Sequence, residues 1–229
     1  MRTLTKEVRD ALTPTEVIEV LRRGNERFQN NLKANRNLLQ QVNETSEGQH
    51  PMAIVLSCID SRTGAELIFD QGLGDIFSAR IAGNVLNDDI LGSMEFACNV
   101  AGAKAIIVLG HSKCGAVKGA CDGVELGNLS TLLHKIQDAV ALEKTVIGDR
   151  SSRNAEFVEK VASINVMLVK TQIIERSPVI AKMIDNGEVA LVGAMYDVDT
   201  GGVQFYENQM LLGSLYIADP ATAAASAAA

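Results

Sequence analysis

Short runs of apolar residues recur along the chain and are separated by segments with helical periodicity. Such runs cover residues 52–57, 75–79, 105–109 and 188–196. None alternates between apolar and polar side chains, which is typical of strands buried on both faces of a parallel sheet. The helical segments that we predict lie around Leu67, Ile68 and Phe69 and over residues 88–100, 115–120, 129–140, 154–169 and 178–186. Strands that alternate with helices predict an α/β fold, a mostly parallel central sheet flanked by helices.

The two ends of this pattern differ from its middle. At residues 13–16, Thr-Pro-Thr-Glu has the sequence of a capping box with proline at the first helical position, so an N-terminal helix begins there. Residues 32–50 are polar and predict a loop or extended arm, which we expect to lie across a second subunit. Near the other end, Gly201-Gly202 predicts a turn into a short edge strand over 203–206.

Composition excludes several classes of protein. The chain has 229 residues, a net charge of −7 and a sequence pI of about 5.0, so it offers no basic surface for nucleic acid. No apolar run approaches the roughly 18 residues of a membrane span, and residues 1–12 lack the apolar core of a secretory signal. With four cysteines and no signal, a metal or catalytic role is favoured over disulfides, and the expected compartment is the reducing cytoplasm.

The three candidate metal ligands all follow the ends of predicted strands. Cys58 follows the strand over 52–57, and His111 and Cys114 follow the strand over 105–109. If these strands are neighbours, two thiolates and one imidazole meet at one sheet edge, where α/β proteins bind ligands. A Cys₂His set with an open fourth position is typical of catalytic zinc. The alternative is that both cysteines are buried thiols and that His111 caps a helix.

Two further features lie beside these residues. Asp60 and Arg62 are two positions apart, so the arginine can hold the carboxylate bidentately and keep it ionised. This pair is either a structural salt bridge or a catalytic dyad whose carboxylate orients a metal-bound hydroxide. The amide of Gly115, at a predicted helix start, is a candidate donor to a developing oxyanion.

Four motifs in this chain resemble those of the β-class carbonic anhydrases. They are Cys58-Ile59-Asp60-Ser61-Arg62, Arg80-Ile81-Ala82-Gly83-Asn84, Ser93-Met94-Glu95-Phe96-Ala97 and Gly110-His111-Ser112-Lys113-Cys114-Gly115-Ala116. The resemblance extends from residue 24 to residue 198. It implies Zn²⁺ on Cys58, His111 and Cys114, a catalytic Asp60–Arg62 dyad, and a homodimer or homotetramer with its sites near subunit interfaces.

The resemblance also implies a substrate pocket. Gln49 matches a family glutamine that reaches the substrate from a neighbouring subunit, and Phe77 and Ala82 fall where the family lines its narrow pocket. Phe96 stands where many members have tyrosine, so a phenolic hydrogen bond is not expected there. Val55 stands where some bacterial relatives have the tryptophan of an inhibitory bicarbonate pocket, which predicts an open site without that regulation.

We therefore expect a zinc enzyme that interconverts carbon dioxide and bicarbonate. The expected parts are a helix and arm over 1–50, a zinc-binding α/β catalytic domain over 51–217 and a low-complexity tail over 218–229. Two alternatives remain: a hydrolase of carbonyl sulfide or carbon disulfide on the same scaffold, and a non-catalytic zinc-binding module. We expect no nucleic acid and no membrane partner.

Overall fold

A computed structural model describes residues 3–213 and the backbone of residues 215–216. The predicted tail over 218–229 lies outside the described residues. The helices are α1 (Lys6–Ala11), α2 (Pro14–Gln29), α3 (Leu38–Glu44), α4 (Ala65–Ile68), α5 (Asp88–Glu95), α6 (Gly115–Cys121), α7 (Gly127–His134), α8 (Gln137–Leu142), α9 (Ala155–Arg176) and α10 (Pro178–Asp185). The strands are β1 (Ala53–Ser57), β2 (Ile76–Arg80), β3 (Ala105–His111), β4 (Ala190–Tyr196), β5 (Val203–Phe205), β6 (Leu211–Leu212) and β7 (Leu215–Tyr216).

The strands form one sheet in the order β2-β1-β3-β4-β6-β7, with β5 also paired to β4. Strands β2, β1, β3 and β4 are mutually parallel, whereas β5, β6 and β7 pair in antiparallel fashion. Ser57 pairs with Leu109 in the neighbouring strand, so Cys58 follows β1 at the level at which His111 ends β3. The predicted mostly parallel α/β fold is confirmed, and two predicted ligands lie at one sheet edge.

Helices cover both faces of this sheet, as the unbroken apolar strands require. Alternate side chains of β1 and β3 enter two separate cores, because successive residues of a strand point to opposite faces. Ile54 and Ile106 join the larger core with helices α5 to α10, and Val55 and Ile107 join the smaller core with α2 and α4. Strands β1, β3 and β4 therefore have no solvent-facing side, which explains their lack of polar alternation.

The N-terminal helix is bound to the smaller core through polar as well as apolar contacts. The capping box predicted at Thr13 and Glu16 is present. The Asn25 side chain donates to the carbonyls of Ile68 and Gly201 and accepts from the amide of Val203. One buried amide therefore joins α2 to the segments before β2 and β5.

Several elements depart from the sequence-based predictions. The arm over 32–50 is not a continuous loop, because Asn37 caps α3 by accepting a hydrogen bond from the Gln40 amide. The predicted helix over 129–140 is two helices, α7 and α8, which meet near Lys135 and Ile136. The predicted helix over 88–100 continues beyond α5 as a π-helical turn, Phe96–Val100. Helix α1 and strands β6 and β7 were not predicted.

Within the residues that the structure describes, no helix is long and apolar enough to cross a membrane. The longest, α9, has 22 residues, and it carries charged side chains along its length. Its buried side chains pack in the larger core against β3 and β4.

Candidate metal centre

Cys58, His111 and Cys114 converge at the carboxyl ends of β1 and β3. Their ligand atoms all lie within 4.8 Å of one another, and the two sulfurs are 4.0 Å apart. All three residues are buried, with exposed fractions of 4% or less. Two zinc–sulfur bonds at a tetrahedral angle would separate the sulfurs by about 3.8 Å, so the spacing fits a zinc ion.

The imidazole of His111 is oriented as a metal ligand. Its Nδ1 lies 2.9 Å from the carbonyl oxygen of Ser112, and because a carbonyl only accepts, Nδ1 carries the proton. The opposite nitrogen, Nε2, is then a lone-pair acceptor. Among the described residues it has no hydrogen-bond partner, although it is buried. A buried polar atom without a partner is costly unless something outside the protein chain satisfies it, and a cation bound by these three side chains would do so.

The two thiols are electrostatically coupled. The contact with the Cys114 sulfur, followed by the nearby His111 side chain and the backbone amides of Asp60 and Gly83, lowers the pKa of Cys58 to about 4 against the effect of burial. The hydrogen bond with Cys58, followed by burial, raises the pKa of Cys114. A divalent cation bound by both sulfurs would favour their thiolate forms.

Asp60 and Arg62 form a tight pair next to the metal ligands. The Arg62 guanidinium donates to both carboxylate oxygens, at 2.9 Å to Oδ1 and 2.8 Å to Oδ2, and the Arg62 amide donates to Oδ1 at 3.0 Å. These hydrogen bonds hold the pKa of the Asp60 carboxyl well below its usual range. Arg62 therefore holds the Asp60 carboxylate in its ionised form. Asp60 does not belong to the group of candidate ligand atoms around Cys58.

The loop that carries this pair is anchored from two sides. The Thr63 hydroxyl donates to the carbonyls of Cys58 and Asp60, and the Arg80 guanidinium donates to the same two carbonyls from the end of β2. Arg80 belongs to one of the four motifs, but the sequence alone gave it no role, and Thr63 was not predicted to act here. A buried threonine directly after the dyad was the available signal, since such a hydroxyl needs backbone partners.

The structure brings together only some of the predicted substrate residues. The rings of Phe77 and Phe96 meet edge to face, 6.3 Å between centroids, and line one open pocket with Ile54 and Ile90. In the described part of the chain, the lining of that pocket does not include Ala82, Gly115 or Gln49.

The remaining three predicted residues are placed separately. Ala82 begins a 3₁₀ turn, Ala82–Asn84, directly after β2. Gly115 is the first residue of α6, next to Cys114, and no atom lies within 4 Å of the position that a Cβ would take. Gln49 is exposed in the segment that precedes β1.

Two further residues lie beside the ligands and were not predicted to act there. The Gly83 amide donates to the Cys58 sulfur at 3.3 Å, and the side chain of Asn165, in α9, donates to the Gly83 carbonyl at 2.9 Å. The signal for Asn165 was its position: a polar residue in the apolar stripe of a helix that is otherwise buried.

Comparisons with known proteins bear on this site. A family model described as carbonic anhydrase matches residues 53–203. Carbonic anhydrase 2 of Mycobacterium tuberculosis is 35% identical over an alignment of 196 residues, and the match covers 82% of this chain and 90% of that protein. Carbonic anhydrase of Mycolicibacterium smegmatis is 37% identical over 162 residues, covering 69% of this chain and 76% of that one.

A solved structure is similar as well. It is one of two tetrameric β-carbonic anhydrases from the filamentous ascomycete Sordaria macrospora. The two sequences are 27% identical, the match covers 71% of this chain and 83% of the Sordaria chain, and the TM-score is 0.64.

Proposed function

Because this chain belongs to the β-class carbonic anhydrase family, we propose that it binds Zn²⁺ through Cys58, His111 and Cys114 and hydrates carbon dioxide to bicarbonate reversibly. The observation that carries the proposal is the buried, unpartnered Nε2 of His111 facing two coupled thiols. When bound, zinc would supply a water that ionises near neutral pH and attacks carbon dioxide.

The residues around the ligands have separate roles in this proposal. Asp60, kept ionised by Arg62, accepts a hydrogen bond through a carboxylate oxygen and orients the attacking oxygen. The arginine also keeps this carboxylate from becoming a fourth ligand, which leaves a position for water. The Gly115 amide, at the start of α6, donates to the developing bicarbonate oxygen.

The remaining predicted residues form the pocket. Phe77, Phe96 and Ala82 supply apolar surface for carbon dioxide, a substrate without charge or hydrogen-bond donors. Phe77 and Phe96 are already in contact, but Ala82 lies outside their pocket in the single chain. Gln49, which is exposed, reaches the substrate of a neighbouring subunit. The complete pocket in this proposal is therefore built by two chains.

We propose that the protein is a homodimer or homotetramer. Apolar side chains that are about half exposed or more lie on α3 (Leu38, Leu39) and in the π-helical turn after α5 (Phe96, Val100). Strand β2 also lies at one end of the sheet order. The solved relative from Sordaria macrospora is a tetramer. The four cysteines of the present chain are free thiols, which suits a reducing compartment, and we place the protein in the cytoplasm.

Metal analysis combined with a pH-indicator assay of carbon dioxide hydration tests the proposal. We expect one zinc per chain, loss of hydration on treatment with a strong chelator, and recovery on addition of zinc. Protein that binds zinc but does not hydrate carbon dioxide would instead be a zinc-binding module. Faster turnover of carbon disulfide than of carbon dioxide would assign the hydrolase alternative.

A further inference from the structure

A buried polar side chain links the long helix α9 to the metal centre. Asn165 is 2% exposed and lies between the apolar residues Val161, Ala162, Val166 and Val169 of α9. Its Nδ2 donates to the backbone carbonyl of Gly83, 2.9 Å away and 82 positions earlier in the chain. A buried amide at such a position costs free energy unless it makes this bond, so the bond fixes where the Gly83 peptide lies relative to α9.

Gly83 in turn contacts the metal centre. Its own amide donates to the Cys58 sulfur at 3.3 Å, and its φ of +66° is a left-handed conformation that favours glycine. A Cβ at this position would lie 2.7 Å from the Cδ1 of Ile136 and 3.2 Å from the Cβ of Ala116. The turn at Gly83 is therefore confined on one side by packing, and the hydrogen bond from Asn165 to the Gly83 carbonyl holds it in place.

We propose that Asn165 is a positioning residue: it holds the turn at Gly83 so that the Gly83 amide keeps its hydrogen bond to the Cys58 sulfur. This inference rests on the proposed zinc site. A donor directed at a thiolate ligand withdraws part of its negative charge, and such partners of metal ligands influence both affinity and reactivity. Through Gly83, Asn165 sets how strongly Cys58 donates electrons to the metal.

The decisive variant is Asn165→Leu, which keeps the number and branching of the side-chain heavy atoms and removes the donor. We expect its zinc affinity, measured by competition with a chelator, to fall roughly tenfold, because the buried Cys58 thiolate loses a donor that stabilises its negative charge. In the cobalt-substituted protein, we expect the thiolate-to-cobalt charge-transfer band to move to longer wavelength, because the Cys58 sulfur becomes more electron-rich. This band reports on the metal–sulfur bond and not on general stability.

The matched control is Ser163→Ala, two positions away on the same helix. Ser163 accepts a hydrogen bond from the Tyr206 hydroxyl, 3.1 Å away, and is not part of the metal centre. We expect the control to leave zinc affinity and the cobalt spectrum unchanged. If Asn165→Leu does not fold, Asn165→Ala removes the same donor without a bulky substituent and takes its place.

The outcomes separate this inference from the proposed function. Wild-type protein that binds no zinc would overturn both. Wild-type protein that binds zinc, with an Asn165→Leu variant of equal affinity and unchanged cobalt spectrum, would overturn the positioning role alone. Lower affinity with an unchanged charge-transfer band would also overturn it, since that result indicates a loosened site with an unaltered Cys58–metal bond.

Discussion

At the scale of single residues, the Asp60–Arg62 pair could be either a structural salt bridge or part of the reaction. An arginine that donates to both oxygens of a carboxylate is a common way to stabilise a loop, but here the pair lies two residues after a candidate ligand. The Arg62 side chain is half exposed, whereas that of Asp60 is only 17% exposed. Because the guanidinium is half exposed, this ion pair contributes little stability, and its position beside the candidate ligands supports the proposed role in the reaction.

The substitution Asp60→Asn tests that role. The amide keeps the shape of the side chain and one acceptor, so we expect zinc content and the unfolding transition to stay near those of the wild type. Hydration turnover should fall by about 100-fold or more, because the variant loses the carboxylate that orients the attacking oxygen. A pH-indicator assay and metal analysis of the same sample measure both properties.

Asp10→Asn is the matched control for this variant. Asp10 is a carboxylate of α1 that pairs with Lys6, and its backbone contacts Lys104 just before β3, at the opposite end of that strand from His111. The control should retain its turnover. Full activity in Asp60→Asn would remove the carboxylate from the mechanism, and loss of zinc in that variant would make Asp60 a metal ligand.

At the scale of elements, the strands were predictable because burial on both faces leaves a continuous apolar run. The core of β1, β3 and β4 was predicted to within a few residues, and the meeting of Cys58 with His111 followed from parallel neighbours. Helix α3 was not predictable from apolar periodicity, because Gln41 is its one buried residue. Strand β6 is only two residues long, too short for any alternation.

The contacts around the metal centre were less predictable than its ligands. The ligands could be predicted because cysteine and histidine are common metal ligands. The hydrogen bond from Asn165 to Gly83, in contrast, depends on how α9 crosses the sheet. No local pattern encodes that crossing. The split between α7 and α8 was hidden for a related reason, since Ile136, at the junction, is fully buried and continues the apolar pattern of a single helix.

A buried lysine in α9 makes the stability of this helix contact depend on pH. Lys170 is 2% exposed, and its ammonium donates to the carbonyl of Gln209, which links α9 to the turn after β5. Burial lowers the pKa of Lys170 to about 8. An unfolded chain holds this proton up to a pKa of about 10.4, so unfolding takes up a proton between the two values.

It follows that Lys170 destabilises the folded state below about pH 8 and does so less as the pH rises toward about 10.4. We expect the unfolding free energy of the wild type, minus that of Lys170→Met, to increase by about 1 to 3 kcal/mol from pH 7.5 to pH 10. Urea unfolding of both proteins at each pH measures this difference, and other groups that titrate in this range cancel. An equal difference at both pH values would contradict the prediction.

At the scale of the whole molecule, the single chain brings the three candidate ligands together but leaves the predicted pocket residues apart. Phe77 and Phe96 line an open surface, Phe96 is 53% exposed, and the exposed Gln49 precedes β1. Exposed apolar side chains on α3 lie in the same N-terminal segment. A second copy seated here would cover this apolar surface and bring its own Gln49 to the pocket, so assembly and catalysis would be one property.

Mixing two defective chains tests whether the site is shared. Gln49→Ala should lose substrate binding in trans, and Asp60→Asn should lose turnover in its own chain. In a hybrid dimer, the Gln49→Ala chain keeps its Asp60 and receives Gln49 from its partner, so that one site is fully wild type. Random pairing on coexpression makes half of the dimers hybrid, and we expect about a quarter of wild-type activity to return.

Each variant expressed alone should stay near its own low rate. Activity of the mixture that merely averages the two variants would place Gln49 in the site of its own chain or outside the reaction.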